Sequence, residues 1–87
     1  MSYQIDIAPA AQRDVKRLPS EVVRKVDTTM LELEQTPRPH GCTKLEGSED
    51  EYRVRVGDYR ILYVIDDKAK LVTIARVRHR RDAYRKQ

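Results

Sequence analysis

Arg53, Arg55 and Arg60, followed by Arg78, His79, Arg80, Arg81 and Tyr84, are the side chains of this sequence best suited to chemistry. Arginine stays charged at any working pH, and its forked donors match the oxygens of a phosphate. Histidine has an ordinary pKa of about 6.5, which allows ready proton transfer near neutrality. Together they suit the cleavage of an RNA phosphodiester. There the ribose 2′-OH attacks its own phosphate once its proton is removed, negative charge builds on the phosphorus, and the 5′-oxygen leaves with a proton. His79 is the best candidate for proton transfer, and a tyrosine such as Tyr84 can stack on a base or pack on the protein. The basic half has no carboxylate cluster that would hold metal ions, so a two-metal nuclease is not expected and no cofactor is called for.

The spacing of the first three arginines makes a geometric claim. Gly57-Asp58 is a strong two-residue hairpin turn. Val56 then pairs with Tyr59, Arg55 lies opposite Arg60, and Arg53 lies opposite Leu62. Opposed residues share a face of the sheet, so the three arginines project together while Tyr52, Val54, Val56, Tyr59 and Ile61 take the other side. Like charges placed opposite each other repel, and an anion resolves that conflict. The alternative is an ordinary solvated strand face on which His79 is incidental.

Charge follows the same division. Residues 1–50 carry seven Lys/Arg against nine Asp/Glu, and residues 51–87 carry eleven against five. The concentration of positive charge in one half points to an anionic partner, either nucleic acid or an acidic protein. Because it falls mainly on strands, a membrane-surface helix is not the reading it favours. No apolar run approaches the length of a membrane span and no signal peptide is legible, so a cytoplasmic location is expected. Cys42 is the single cysteine, which excludes an intrachain disulfide, and with His40 it makes too few ligands for a zinc site.

Eighty-seven residues suit one domain, 1–87, with a modest aliphatic core, since the chain has no Phe or Trp. Tyr3, Ile5 and Ile7 alternate with polar residues as in a strand. Pro9 opens a helix in which Ala11, Val15 and Leu18 form a stripe, and Pro19 stops it. Ser20 is the expected N-cap of a second helix carrying Val22, Val26, Met30 and Leu33 on one side, ended by Thr36-Pro-Arg-Pro-His-Gly41. A polar connector spans residues 42–50. The strands 52–56, 59–65 and 71–77 follow, then a short helical tail over 80–85. The order β-α-α-β-β-β predicts an α+β fold: an N-terminal strand, an α-helical hairpin and a three-stranded antiparallel meander, with both helices on one face. The first strand is expected beside the last.

The chain resembles the RelE family of bacterial toxins, in the RelE/ParE superfamily. The likeness rests on the early strand and helical hairpin, Lys44-Leu45-Glu46-Gly47, the run Tyr52 to Tyr63, and the ending Val77-Arg-His-Arg-Arg-Asp-Ala-Tyr84. It implies an mRNA endonuclease that cuts in the ribosomal A site without a metal, and a cognate antitoxin that wraps the toxin. It also implies operator DNA binding only through the toxin–antitoxin complex. By position, Arg53 and Arg55 match basic strand residues that are lysines in some members. Arg60 matches a phosphate and transition-state clamp. Arg80 matches a basic residue linked to leaving-group protonation or charge stabilisation, and Tyr84 matches a tyrosine that stacks on or orients the nucleotide. Lys44 is a candidate ribosome or RNA contact, and Arg76, Arg78, Arg81 and Arg85 are read as further contacts to mRNA or 16S rRNA. Arginine is a poor general base where lysine serves, which leaves part of the acid–base role to His79.

Two other readings stand beside the ribosome-dependent nuclease. One is a ParE-like toxin on the same fold that inhibits DNA gyrase. The other is a non-enzymatic nucleic-acid-binding module whose arginines only hold phosphates.

Overall fold

In a computed structural model that describes residues 2–83, the chain forms one mixed sheet with two helices on one side. The strands are β1 (Gln4–Ile7), β2 (Thr43–Lys44), β3 (Glu51–Val56), β4 (Tyr59–Asp66) and β5 (Leu71–His79). The helices are α1 (Pro9–Lys16), α2 (Ser20–Gln35) and a final turn, α3 (Arg80–Ala83). The order across the sheet is β1-β5-β4-β3-β2, with β1 parallel to β5 and the other neighbours antiparallel. The expected placing of the first strand beside the last is what the sheet shows. The short β2 lies within the stretch read from sequence as a plain connector. Two residues are too few to display a period, and it pairs through Thr43–Arg53 and Lys44–Tyr52.

Each helix lies on the sheet, α1 against β5 and α2 against β1 and β3. Ala11 of α1 and Val26, Met30 and Leu33 of α2 meet Val54, Val56, Ile61, Tyr63, Ile65, Val72, Ile74 and Val77 in one buried cluster. Burying a side chain such as Ile61 completely stabilises the fold by roughly 1.5–3 kcal/mol. Ser20 is not the N-cap of α2. Pro19 holds that position in an extended conformation, with its carbonyl accepting from the N–H groups of Val22 and Val23, and Ser20 becomes the first helical residue. The rigid proline backbone displaces the side-chain cap.

At the far end of the sheet from the β3–β4 turn, polar groups tie the loop after α2 to the β4–β5 turn. The Arg38 guanidinium donates to both Asp67 carboxylate oxygens, at 3.3 and 2.9 Å, and through Nε to the Tyr52 hydroxyl at 3.0 Å. The Tyr3 hydroxyl donates to Asp67 at 2.6 Å, and buried Tyr63 donates to the Pro37 carbonyl at 2.8 Å. Arg38 and Tyr3 hold the Asp67 carboxyl at about 2, while burial pushes the Tyr63 hydroxyl up.

Candidate functional site

The β3–β4 hairpin has the register that its turn dictates. Gly57 sits at φ 60°, and Asp58 is not among the residues with positive φ, which is the pattern of a type II′ turn. Val56 faces Tyr59, Arg55 faces Arg60 and Arg53 faces Leu62. Arg53, Arg55 and Arg60 therefore project from the face that the helices leave open. Arg55 Nε donates to the Gly57 carbonyl at 2.9 Å and Arg60 Nη1 to the Tyr59 carbonyl at 3.3 Å, so both side chains are braced on the hairpin.

Arg78 completes the row, and a bulge puts it there. Val72 and Ile74 are buried beneath the helices, so strict alternation would send Arg76 and Arg78 to that side as well. Instead the pairing runs Tyr63–Ile74 and then Leu62–Arg76, which skips Ala75. A one-residue slip moves every later side chain to the opposite face. Val77 becomes buried, Arg78 comes to stand opposite Arg60, and His79 comes to stand opposite Tyr59. Arg55, Arg60 and Arg78 thus lie in register across three adjacent strands.

The same slip separates His79 from that row. Its ring meets Tyr59 edge-on, with centroids 5.3 Å apart, on the helix side of the sheet's end. Its Nδ1 accepts from the Arg81 N–H at 3.4 Å. Arg80 opens α3 and donates its N–H to the Asp58 carbonyl at 2.7 Å, which ties the tail to the hairpin turn. Arg80 and Arg81 are exposed there. Lys44 is exposed on the edge strand β2, and its pairing with Tyr52 places it on the helix side, away from the arginines. Tyr84 and Arg85 lie outside the described residues.

Arg76 is turned to a different task. Its Nε and Nη2 donate to Asp14 of α1 at 2.8 and 3.1 Å, and the Val77 N–H donates to the same carboxylate at 2.9 Å. Burial alone would raise the Asp14 carboxyl. The Arg76 guanidinium and the Val77 N–H outweigh it, and the group lies below the usual carboxylate range. Sequence reading passed over Asp14, because a single acid among the polar residues of an amphipathic helix carries no signal of its own. Among the described residues, no three His, Cys, Asp or Glu side chains come together in a way that would hold a metal ion. Among the same residues, no helix is long and apolar enough to cross a membrane.

Residues 5–84 match the family described as the ParE toxin of the type II toxin–antitoxin system parDE. Toxin RelG of Mycobacterium tuberculosis is 33% identical over 87 residues, which cover 99% of this chain and 100% of that protein. A chain of the archaeal RelE–RelB complex from Pyrococcus horikoshii superposes with a TM-score of 0.82 at 32% identity, over 92% of this chain and 97% of that one. A chain of the toxin–antitoxin complex RelBE2 from Mycobacterium tuberculosis does so with a TM-score of 0.82 at 30% identity, over 92% and 100%.

Proposed function

We propose that this chain, which belongs to the RelE family of toxins of type II toxin–antitoxin systems, is an endoribonuclease that cuts messenger RNA in the ribosomal A site. The observation that carries this reading is the arginine row, Arg55–Arg60–Arg78, in register across three strands with Arg53 on the same face. A sheet selected for stability alone would not stack like charges in this way. A phosphodiester relieves the repulsion, and a pentavalent phosphorus with its extra negative charge relieves it further. The row therefore binds the transition state more tightly than the ground state, which is what accelerates a reaction.

In the proposed step the ribose 2′-oxygen bonds to the adjacent phosphorus, the bond to the 5′-oxygen breaks, and a cyclic phosphate and a 5′-hydroxyl result. Arg60 and Arg78 hold the phosphate oxygens, and Arg53 and Arg55 bind the flanking backbone. At the end of the sheet, where the tail begins, Arg80 serves the leaving oxygen, and His79 reaches around that end from the other face to transfer the proton. Tyr84 orients the nucleotide, and Lys44, Arg81 and Arg85 contact RNA or the ribosome. With charge supplied by guanidinium groups, the step requires no metal. So small a site leaves the orientation of the message to the ribosome. Residues 1–87 act as one domain, and a cognate antitoxin restrains it, as the RelE–RelB and RelBE2 complexes of the relatives suggest.

Primer extension on an mRNA translated in a purified system tests this reading. Cuts within codons that need ribosomes and disappear in Arg60→Ala support it. The match to the ParE family favours a second reading, gyrase inhibition. Folded protein that cuts nothing but blocks gyrase supercoiling would establish that one instead.

A further inference from the structure

Strand β1 pairs with β5 only as far as Ile7–Ile74. The ladder closes with the Ile74 carbonyl, which accepts from the Ala8 N–H at 2.9 Å. Beyond it β5 runs on for five residues, through the bulge and out to Arg78 and His79, with no strand on that side among the described residues. A strand end paired with a strand on one side only, with a bulge at its root, depends on α1 for support on its other side.

Asp14 stands at that gap. One carboxylate oxygen accepts from the Val77 N–H, the ladder position that a longer β1 would have served. Both oxygens hold the guanidinium of Arg76, the first residue past the bulge. The Asp14 side chain is only 13% exposed, so these bonds are partly shielded from water. We infer that Asp14 is a positioning residue for RNA cleavage: it replaces the missing strand beside residues 76–77, fixes the slipped register, and so keeps Arg78 across from Arg60. This rests on the endonuclease reading. It assigns α1 a part in the reaction although the proposed step places none of that helix's side chains on the phosphate.

The consequence is a particular split. The hydrogen bonds of Asp14 go to β5, while Arg53, Arg55 and Arg60 sit on the β3–β4 hairpin, so these three keep their hold on the substrate when Asp14 is lost. Arg78 and His79 shift, and a displacement near 1 Å at reacting groups lowers rate far more than binding.

The test measures single-turnover cleavage of a programmed ribosome, ribosome affinity and exchange of the Val77 amide for wild type, Asp14→Ala and Asp14→Asn. For Asp14→Ala the expected result is a cleavage rate down about 100-fold, with affinity within about threefold of wild type. Asp14→Asn keeps an oxygen for the Val77 N–H, so it should keep that amide protected and recover about tenfold of the lost rate. Wild-type cleavage with an equally fast Asp14→Ala overturns the inference. So does a parallel loss of affinity, rate and folded fraction in Asp14→Ala, which would mark Asp14 as structural only. A folded wild type that cuts nothing overturns the endonuclease reading itself, and this inference with it.

Discussion

Arg60 stands directly opposite Arg78 on β5, as it stands opposite Arg55 on β3, so that its charge is flanked by like charge on both sides. An opposed pair of this kind destabilises a sheet by roughly 0.2–1 kcal/mol. Replacing Arg78 by threonine, which suits a strand, should therefore raise Tm by about 2–5 °C while removing cleavage. Sulfate in place of chloride at equal ionic strength should stabilise wild type more than Arg78→Thr, because the row gives the anion its partners. Calorimetry in the two salts decides the matter. A lower Tm in the variant would show that Arg78 stabilises the sheet and that no conflict is stored there.

Arg60 and Ile61 are neighbours in sequence on opposite faces of β4, and they should fail in opposite ways. Ile61 is fully buried, and its replacement by alanine is expected to destabilise by about 2–5 kcal/mol. Against a total of roughly 5–15 kcal/mol, nearer the low end for so small a core, that leaves much of the chain unfolded at 37 °C. Arg60→Ala should melt no lower than about 2–3 °C below wild type, since relief of two like-charge oppositions offsets the weaker strand preference of alanine. Melting curves and growth arrest measured side by side distinguish the two. An Arg60→Ala that melts far below wild type would make its inactivity uninformative about chemistry.

That contrast also marks how far the sequence could be read. The β3–β4 register was legible because Gly57-Asp58 fixes it, and everything opposite the turn follows by counting in twos. The helices were legible from their stripes and the prolines around them. Strand β2 was not, because two residues have no period. The facing of Arg78 and His79 was not legible either. Ala75 gives no sign that it will be skipped, and counting straight through it puts both residues on the wrong sides. The basic cluster could thus be named from sequence, but its membership at β5 depends on one bulge whose cause is tertiary. Asp14, 62 residues before Arg76, belongs to the same class of fact.

Acid should weaken the far end of the sheet through Asp67. Arg38 first, and then the Tyr3 hydroxyl, hold this carboxyl at about 2 in the folded chain, below its ordinary 3.8. A depressed carboxyl stabilises the fold at every pH above the ordinary value, and the contribution is lost as pH falls through about 2. Wild type should therefore melt above Asp67→Asn near neutrality, and the two curves should converge between pH 4 and pH 2, at about the carboxylate range. The gap should be small, because the Arg38–Asp67 pair is half-exposed and screened by solvent. A gap that stays constant down to pH 2 would assign the difference to something other than the Asp67 charge.

If the arginine face binds RNA through phosphates, binding must release counterions and weaken with salt. For a single strand the slope of log K against log salt is about −0.7 per phosphate neutralised. Arg53, Arg55, Arg60 and Arg78 together predict a slope of roughly −2 to −3 for a short RNA blocked against cleavage by a 2′-deoxy sugar at the scissile position. Removing Arg55, the exposed member of the row, should make the slope shallower by about 0.7 and weaken binding alike for all sequences. Arg76→Ala is the informative control, because its guanidinium is committed to Asp14. It should leave the slope where wild type has it while slowing cleavage on the ribosome. Equal changes of slope in Arg55→Ala and Arg76→Ala would mean that the whole basic half acts as a diffuse field. The row would then have no special claim on the phosphate.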